Sequence, residues 1–269
     1  MKKLILSASL LLMAVGCQTN PFTGKQTFNF LGNDYLFPTS FAQYDQFLKE
    51  HKVITGTPEA AMITKVGKRI ATAAERWLNA NGYEGYLKDY QWEYKLVDDK
   101  TINAWCMPGG KIVFYTGILP ITQSETGIAV VMGHEVAHAL ANHGGQRMSA
   151  SMAQQGISVL GNVAIKDEKT LNIFNQSYGI GSTLGVMLPF SRSHETQADR
   201  IGLQIMAIAG YNPDEAAELW KRMSQAGGQA QPEILSTHPS NETRIRNLQE
   251  WAPAAKSEAA KYGVTSFQK

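Results

Sequence analysis

One segment constrains this chain more than any other. Val130-Val131-Met132-Gly133-His134-Glu135-Val136-Ala137-His138-Ala139-Leu140-Ala141 is an apolar run interrupted by three ionisable residues. Such a run predicts a buried helix, on which residues four apart lie about 40° from one another, so the imidazoles of His134 and His138 face one point. Glu135 is turned from His134 by roughly 100°, which sets it beside that point. Three ionisable groups in apolar surroundings are costly unless something pairs them. Zn²⁺ does so: two neutral ring nitrogens hold the ion, and the carboxylate takes a proton from the attacking water. The pattern predicts one zinc ion per chain, with His134 and His138 as ligands and Glu135 as general base.

A third ligand is needed to leave one position open for water or a carbonyl. His143 is the nearest histidine, but it misses the spacing HExxHxxGxxH, which asks for glycine at 141 and histidine at 144. On a continued helix it would also lie roughly 180° from His134, so it reads as a cap or surface residue beside Gly144-Gly145. Glu195 is the better candidate. In Ser191-Arg192-Ser193-His194-Glu195-Thr196-Gln197-Ala198-Asp199, Glu195 and Asp199 share a helix face. Glu195 would complete a His2Glu set, and Asp199, one turn on, would accept the outer N–H of a ligand histidine.

Composition adds the frame. The chain has 269 residues, 43% hydrophobic and 18% charged, enough for one compact domain with a sizeable core. With Lys2 and Lys3 set aside, 23 basic residues face 23 acidic ones, and no basic patch points to nucleic acid. Lys2-Lys3, the apolar Leu4 to Val15, and Gly16-Cys17 read as an export signal whose end resembles a bacterial lipobox, with Ala14 where leucine is usual. This predicts a signal peptide over 1–16, lipidation at Cys17, a membrane tether, and an address in the cell envelope on the periplasmic face of the outer membrane. Lipidation would leave Cys106 alone, so no intramolecular disulfide is expected.

Along the chain, residues 17–40 read as tether and first docking element, with a short strand at Gln26–Phe30; 41–252 as the catalytic domain; and 253–269 as a C-terminal tail. Met62, Ile63, Val66, Ile70, Ala73 and Trp77 recur at helical spacing and predict a helix over Pro58–Asn79. Gln91–Val97 alternates as a strand, and Lys111–Thr116 forms a second after the Gly109-Gly110 turn. Beyond Ser124 the pattern is helical. Lys169 to Arg192 encloses an uncharged stretch diluted by Asn172, Asn175, Gln176 and several glycines, which suits a buried or interfacial helix better than a membrane span.

Taken together, several segments resemble the gluzincin peptidases of the HtpX and CAAX-prenyl-protease type, in particular their soluble, lipoprotein-anchored bacterial branch. They are Asn20-Pro21-Phe22-Thr23-Gly24-Lys25, Asn103-Ala104-Trp105 with Pro108-Gly109-Gly110-Lys111-Ile112, His134–His138, Ser191–Asp199 with Gly202, Gly210-Tyr211, and Ser236-Thr237-His238-Pro239 with Arg244. The resemblance implies His134, His138 and Glu195 as zinc ligands, Glu135 as general base and acid, Asp199 as the carboxylate behind the ligands, and His238 as a donor to the oxyanion. Arg192 and Arg244 would orient carboxylates. Asn103 to Cys106 would form an edge strand over the cleft, with Asn103, Ala104 and Trp105 binding an extended peptide by main-chain hydrogen bonds. Cys106 reads as a packing residue, with latent metal ligation as the alternative.

The resulting expectation is a mostly helical α+β, zincin-like domain with a small sheet. Its activity would be that of a zinc endopeptidase acting on unfolded or misfolded envelope proteins. A lipoprotein chaperone or scaffold for outer-membrane assembly is the alternative, and the presence of Glu135 favours hydrolysis. Oligomeric state is not readable.

Overall fold

The computed structural model describes residues 17–164, 167, 188–226, 233–238 and 242–268. The described residues open with an antiparallel pair, β1 (Cys17–Thr19) and β2 (Gln26–Phe28), followed by α1 (Asn33–Glu50). A second sheet holds β3 (Val53–Ile54), β4 (Glu93–Val97), β5 (Ala104–Met107) and β6 (Lys111–Tyr115) in the order β3-β4-β6-β5. Between β3 and β4 runs α2 (Pro58–Ala80), begun by Thr57, whose side chain accepts from Ala60 N, and by Pro58 at a position where a missing N–H costs nothing.

β4 and β6 are parallel, whereas β5 folds back antiparallel on β6 through Gly109 and Gly110, whose φ values of 83° and 91° demand glycine. Alternation along these strands sorts side chains into two layers. Leu96, Ala104, Ile112 and Phe114 join the main core beneath the helices, while Val97, Val113, Tyr115, Trp105 and Met107 meet Tyr44 and Phe47 of α1. Both faces are therefore covered, and β6 is buried from end to end.

A short turn of helix, α3 (Leu119–Thr122), leads to α4 (Glu125–Leu140). Every residue of α4 from Thr126 to Leu140 is buried, the state expected of a helix apolar all round. Ser124 caps it by accepting from Gly127 N at 3.0 Å. There follow α5 (His143–Ala164), α6 (Leu188–Ile208), α7 (Glu215–Gln225), α8 (Glu233–Thr237) and α9 (Glu242–Ala260). The mostly helical α+β architecture with a small sheet is as expected, with the β1–β2 pair in addition. α1 runs through the anticipated division at 40/41. The residues beyond 253 continue α9 and then dock: Gln268 N donates to Gly210 O at 2.9 Å, and Asn212 N and Thr126 Oγ1 donate to Gln268 O.

Among the described residues no helix is long and apolar enough to cross a membrane. The export segment 1–16 and nearly all of the uncharged stretch 169–192 lie outside the described residues.

Candidate metal centre

α4 and α6 cross at two glycines. A Cβ on Gly202 would stand 2.8 Å from the backbone of Gly133 and from His134 N, and one on Gly133 would stand 2.9 Å from Gly202 O. Only a glycine pair lets the backbones approach this closely, and the approach sets the ligands of one helix against those of the other.

There His134, His138, Glu195 and His238 offer four ligand atoms within 4.8 Å of one another, all in the interior. His134 Nε2 lies 3.1 Å from His138 Nε2 and 3.3 Å from Glu195 Oε2, and His138 Nε2 lies 3.3 Å from Glu195 Oε1. Ligands bonded tetrahedrally to Zn²⁺ at about 2.0–2.1 Å stand roughly 3.3 Å apart, so the three groups already have the spacing the ion imposes. Glu195 Oε1 and Glu135 Oε1 are buried with no hydrogen-bond partner among the described residues. A carboxylate oxygen in that position is costly without a cation. The donor set and these two oxygens fit zinc.

The tautomers follow from the outer contacts. His134 Nδ1 donates to Asp199 Oδ1 at 3.0 Å, turning Nε2 to the ligand cluster. Arg244 grips Asp199 with both arms, Nε to Oδ2 at 2.7 Å and Nη2 to Oδ1 at 2.6 Å, and its guanidinium lies 3.4 Å over the Trp220 ring. Burial alone would raise the Asp199 carboxyl, but Arg244 and His134 outweigh it and hold it below its ordinary value. Glu195 is likewise raised by burial but pulled far below the carboxylate range by His134, His138 and His238. Burial pushes His138 down to about 3, so its ring is neutral, as a ligand must be. Burial and Arg244 lower His134, yet Asp199 and Glu195 prevail and bring it to about 9. An ion held at Nε2 would take the place of that proton.

His143 departs from its expected place. It is fully buried, and its Nδ1 lies 2.9 Å from His138 Nδ1. The extrapolated helix does not exist: α4 stops at Leu140, Asn142 takes φ 54°, and α5 restarts at His143, which brings the ring back behind the ligand. With Nε2 of His138 committed to the cluster, Nδ1–H donates to His143 Nδ1. His143 Nε2–H then faces Gln197 Oε1 at 3.5 Å, which Asn20 Nδ2 also reaches at 3.3 Å. His194 stacks on His143 with centroids 4.1 Å apart and meets Gln146 Oε1 at 3.1 Å. None of this relay was foreseen; helical phase pointed the wrong way, and only the glycines at 144 and 145 hinted at a break.

Glu135 stands beside the cluster, with Oε1 3.5 Å from His238 Nε2. His238 Nδ1 lies 2.8 Å from Glu195 Oε2 and 3.1 Å from His134 Nε2, so this residue sits within the cluster as well as beside Glu135. Arg244 Nη1 donates to His238 O at 3.2 Å. Arg192, in contrast, is exposed and outside this group. Trp220, which no sequence signal marked, forms a wall of the site, 5.8 Å from the His134 ring.

β5 is an edge strand, and Ala104 faces α4 from it. Trp105 does not: its ring belongs to the layer around Tyr44 and Phe47, with Nε1 3.3 Å from Tyr115 Oη. Strand alternation turns its side chain away from the metal centre, leaving only its main chain on the cleft edge. Asn103 precedes the strand and accepts from Ala104 N through its own side chain. Burial, then the Glu135 carboxylate, push the Cys106 thiol well above its ordinary value, so it remains protonated and packs against the core.

A buried HExxH helix, a glutamate from a crossing helix and a carboxylate behind the histidines define a zinc metallopeptidase site of the gluzincin kind. The chain belongs to peptidase family M48, which it matches over residues 64–252. It is 32% identical over 240 residues to the mitochondrial metalloendopeptidase OMA1 of Schizosaccharomyces pombe, covering 87% of this chain and 66% of that protein. It is 35% identical over 177 residues to the Saccharomyces cerevisiae protein of the same name, covering 63% and 49%. A putative beta-barrel assembly-enhancing protease of Vibrio cholerae is 28% identical over 166 residues, covering 58% and 34%. The chain thus spans from a third to two thirds of the length of these relatives.

These likenesses overturn the address inferred from the N-terminus. The relatives matched over most of the chain are mitochondrial metalloendopeptidases, from yeast to human, and not lipoproteins of a bacterial outer membrane. A basic dipeptide, an apolar run and a small residue before cysteine are compositional cues. They do not define a compartment.

Proposed function

We propose that this chain hydrolyses peptide bonds within unfolded or extended polypeptides, with His134, His138 and Glu195 as zinc ligands. The observation that carries it is the three-ligand cluster at tetrahedral spacing with Glu135 beside it, its buried Oε1 without a hydrogen bond and 3.5 Å from His238 Nε2. Zn²⁺ at these ligands supplies Lewis acidity to the substrate carbonyl and to the attacking water. Glu135 accepts the proton released as water attacks and returns it to the leaving amine. His238, with Nδ1 turned to Glu195, presents Nε2 on the Glu135 side, where it donates to the oxyanion. Asp199, clamped by Arg244, holds His134 in the ligating tautomer. An extended segment pairs with the outer edge of β5 around Ala104, Asn103 O being already taken by Tyr115 N, which selects chains that can become strand-like. The N-terminal segment, with Cys17 exposed at the start of β1, attaches the protein to a membrane.

Glu135→Gln tests this. The variant is expected to keep one zinc per chain by metal analysis while casein cleavage falls by roughly 10³ or more. Cleavage that persists in the purified variant would sink the mechanism. Peptides trapped on the same variant report the substrate.

A further inference from the structure

Every large hydrophobic side chain left exposed among the described residues lies in three neighbouring places: the β1–β2 hairpin and its exit, the first turn of α1, and α5. Phe28 and Phe30 are 40% and 43% exposed, Tyr35 56%, and Met148 and Met152 40% and 48%, with exposure rising along α5 to 69% at Leu160. They are gathered by polar contacts beneath them. Phe30 N donates to Ser149 Oγ at 3.3 Å and Ser149 Oγ to Asn29 Oδ1 at 3.2 Å, which seats the hairpin exit on α5 between Met148 and Met152. The Phe28 and Phe30 rings meet edge to face at 5.5 Å. Met148, Met152 and Val159 share one stripe of α5, while the exposed Ile157 and Leu160 are turned roughly 180° and 120° from Met148 near its far end. A concentrated apolar face on an otherwise polar exterior marks an interaction surface.

The N-terminal segment identifies what covers it. Cys17 is the register partner of Phe28, so the chain that precedes it arrives at this face. That chain carries the apolar run Leu4 to Val15. Whether the run is retained or is replaced by a lipid at Cys17, its end brings the membrane to Phe28. Exposed Lys25 at the hairpin and Arg147 beside Met148 add cations at the rim, suited to anionic headgroups.

We infer that the hairpin exit, the first turn of α1 and the exposed stripe of α5 form a docking face that lies on a phospholipid bilayer. α5 begins at His143, directly behind the ligand His138, so docking places the metal centre a short distance above the membrane surface. The inference does not depend on the hydrolytic reading, since an inactive protein would dock equally.

Met148 and Met152 are natural probes, because exposed methionines oxidise readily and lipid contact shields them. The full chain is treated with hydrogen peroxide, alone and on vesicles of phosphatidylethanolamine with phosphatidylglycerol, and oxidation is read by peptide mass spectrometry. Vesicles are expected to slow oxidation of both residues roughly fivefold or more, while Met62 on α2 is unaffected. The Phe28→Glu/Phe30→Glu full chain is expected to stay with the vesicles yet lose this protection. Equal rates with and without vesicles overturn the inference. So does protection in vesicle-free solution that grows with protein concentration, which would assign the face to a second copy. Resistance to peroxide in dilute solution overturns it as well, since another part of the chain would then cover the face.

Discussion

At His138 the donors and acceptors can be followed outward for three residues. A neutral ring that keeps Nε2 free as an acceptor for the candidate site donates from Nδ1; His143 accepts there and turns its own N–H to Gln197, which Asn20 also reaches. Partners of this kind fix ring orientation and raise the basicity of the ligand. His143→Ala is therefore expected to weaken zinc binding by about 10–100-fold, measured by competition with a chromophoric chelator. An affinity equal to that of the unaltered chain would show that the 2.9 Å contact carries no orientation. Arg244 plays the matching part behind His134. It is buried between Asp199 and Trp220, so its charge is neutralised on one side and covered by a π face on the other.

The active-site helix is fixed at its start as firmly as at its ligands. Glu125, in the first turn of α4, meets Lys65 at 2.8 Å, Arg69 at 3.3 Å and the Tyr211 hydroxyl at 2.8 Å, and Arg69 also reaches Gln268 Oε1. The carboxylate at a helix N-terminus gains from the dipole as well. Burial raises the Glu125 carboxyl, but Lys65 and Tyr211 outweigh it, so the folded value lies below the ordinary 4.5. The stabilisation is thus complete above pH 4.5 and disappears as pH falls through the lower folded value. Glu125→Gln is expected to cost about 1–2 kcal/mol at neutral pH, measured by urea unfolding, with the gap closing on the acid side of pH 4.5. A gap constant across that range would place the effect in packing instead of charge.

At the scale of the whole molecule, the candidate metal site is a junction: α4 carries His134 and His138, α6 carries Glu195, His238 follows α8, and α9 sends Arg244 across them. Without an ion, the imidazoles of His134, His138 and His238 and the carboxylate of Glu195 are crowded together in the interior. An ion at a thousand times its dissociation constant contributes about 4 kcal/mol, or roughly 10 °C in a domain of this size. Chelation is expected to lower the melting temperature by that amount in calorimetry, and added zinc to restore it. A midpoint indifferent to both would mean that the cluster does not hold an ion.

The sequence by itself determined whatever depends on local spacing. The period of 3.6 made α2 legible, alternation made β4 and β6 legible, and the four-residue step put His134 with His138 and Glu195 with Asp199. Gly109-Gly110 announced a turn because few other residues accept its backbone angles. Spacing is silent on what crosses what. That Gly133 and Gly202 bring two helices into backbone contact, that Asn142 reverses the phase of His143, and that Trp105 turns away from the cleft while Ala104 faces it were decided only by tertiary packing. The division has a physical basis. Hydrogen-bond periodicity is written in the nearest few residues, whereas the energy of burying polar groups beside a metal is settled by whichever distant segments can reach them.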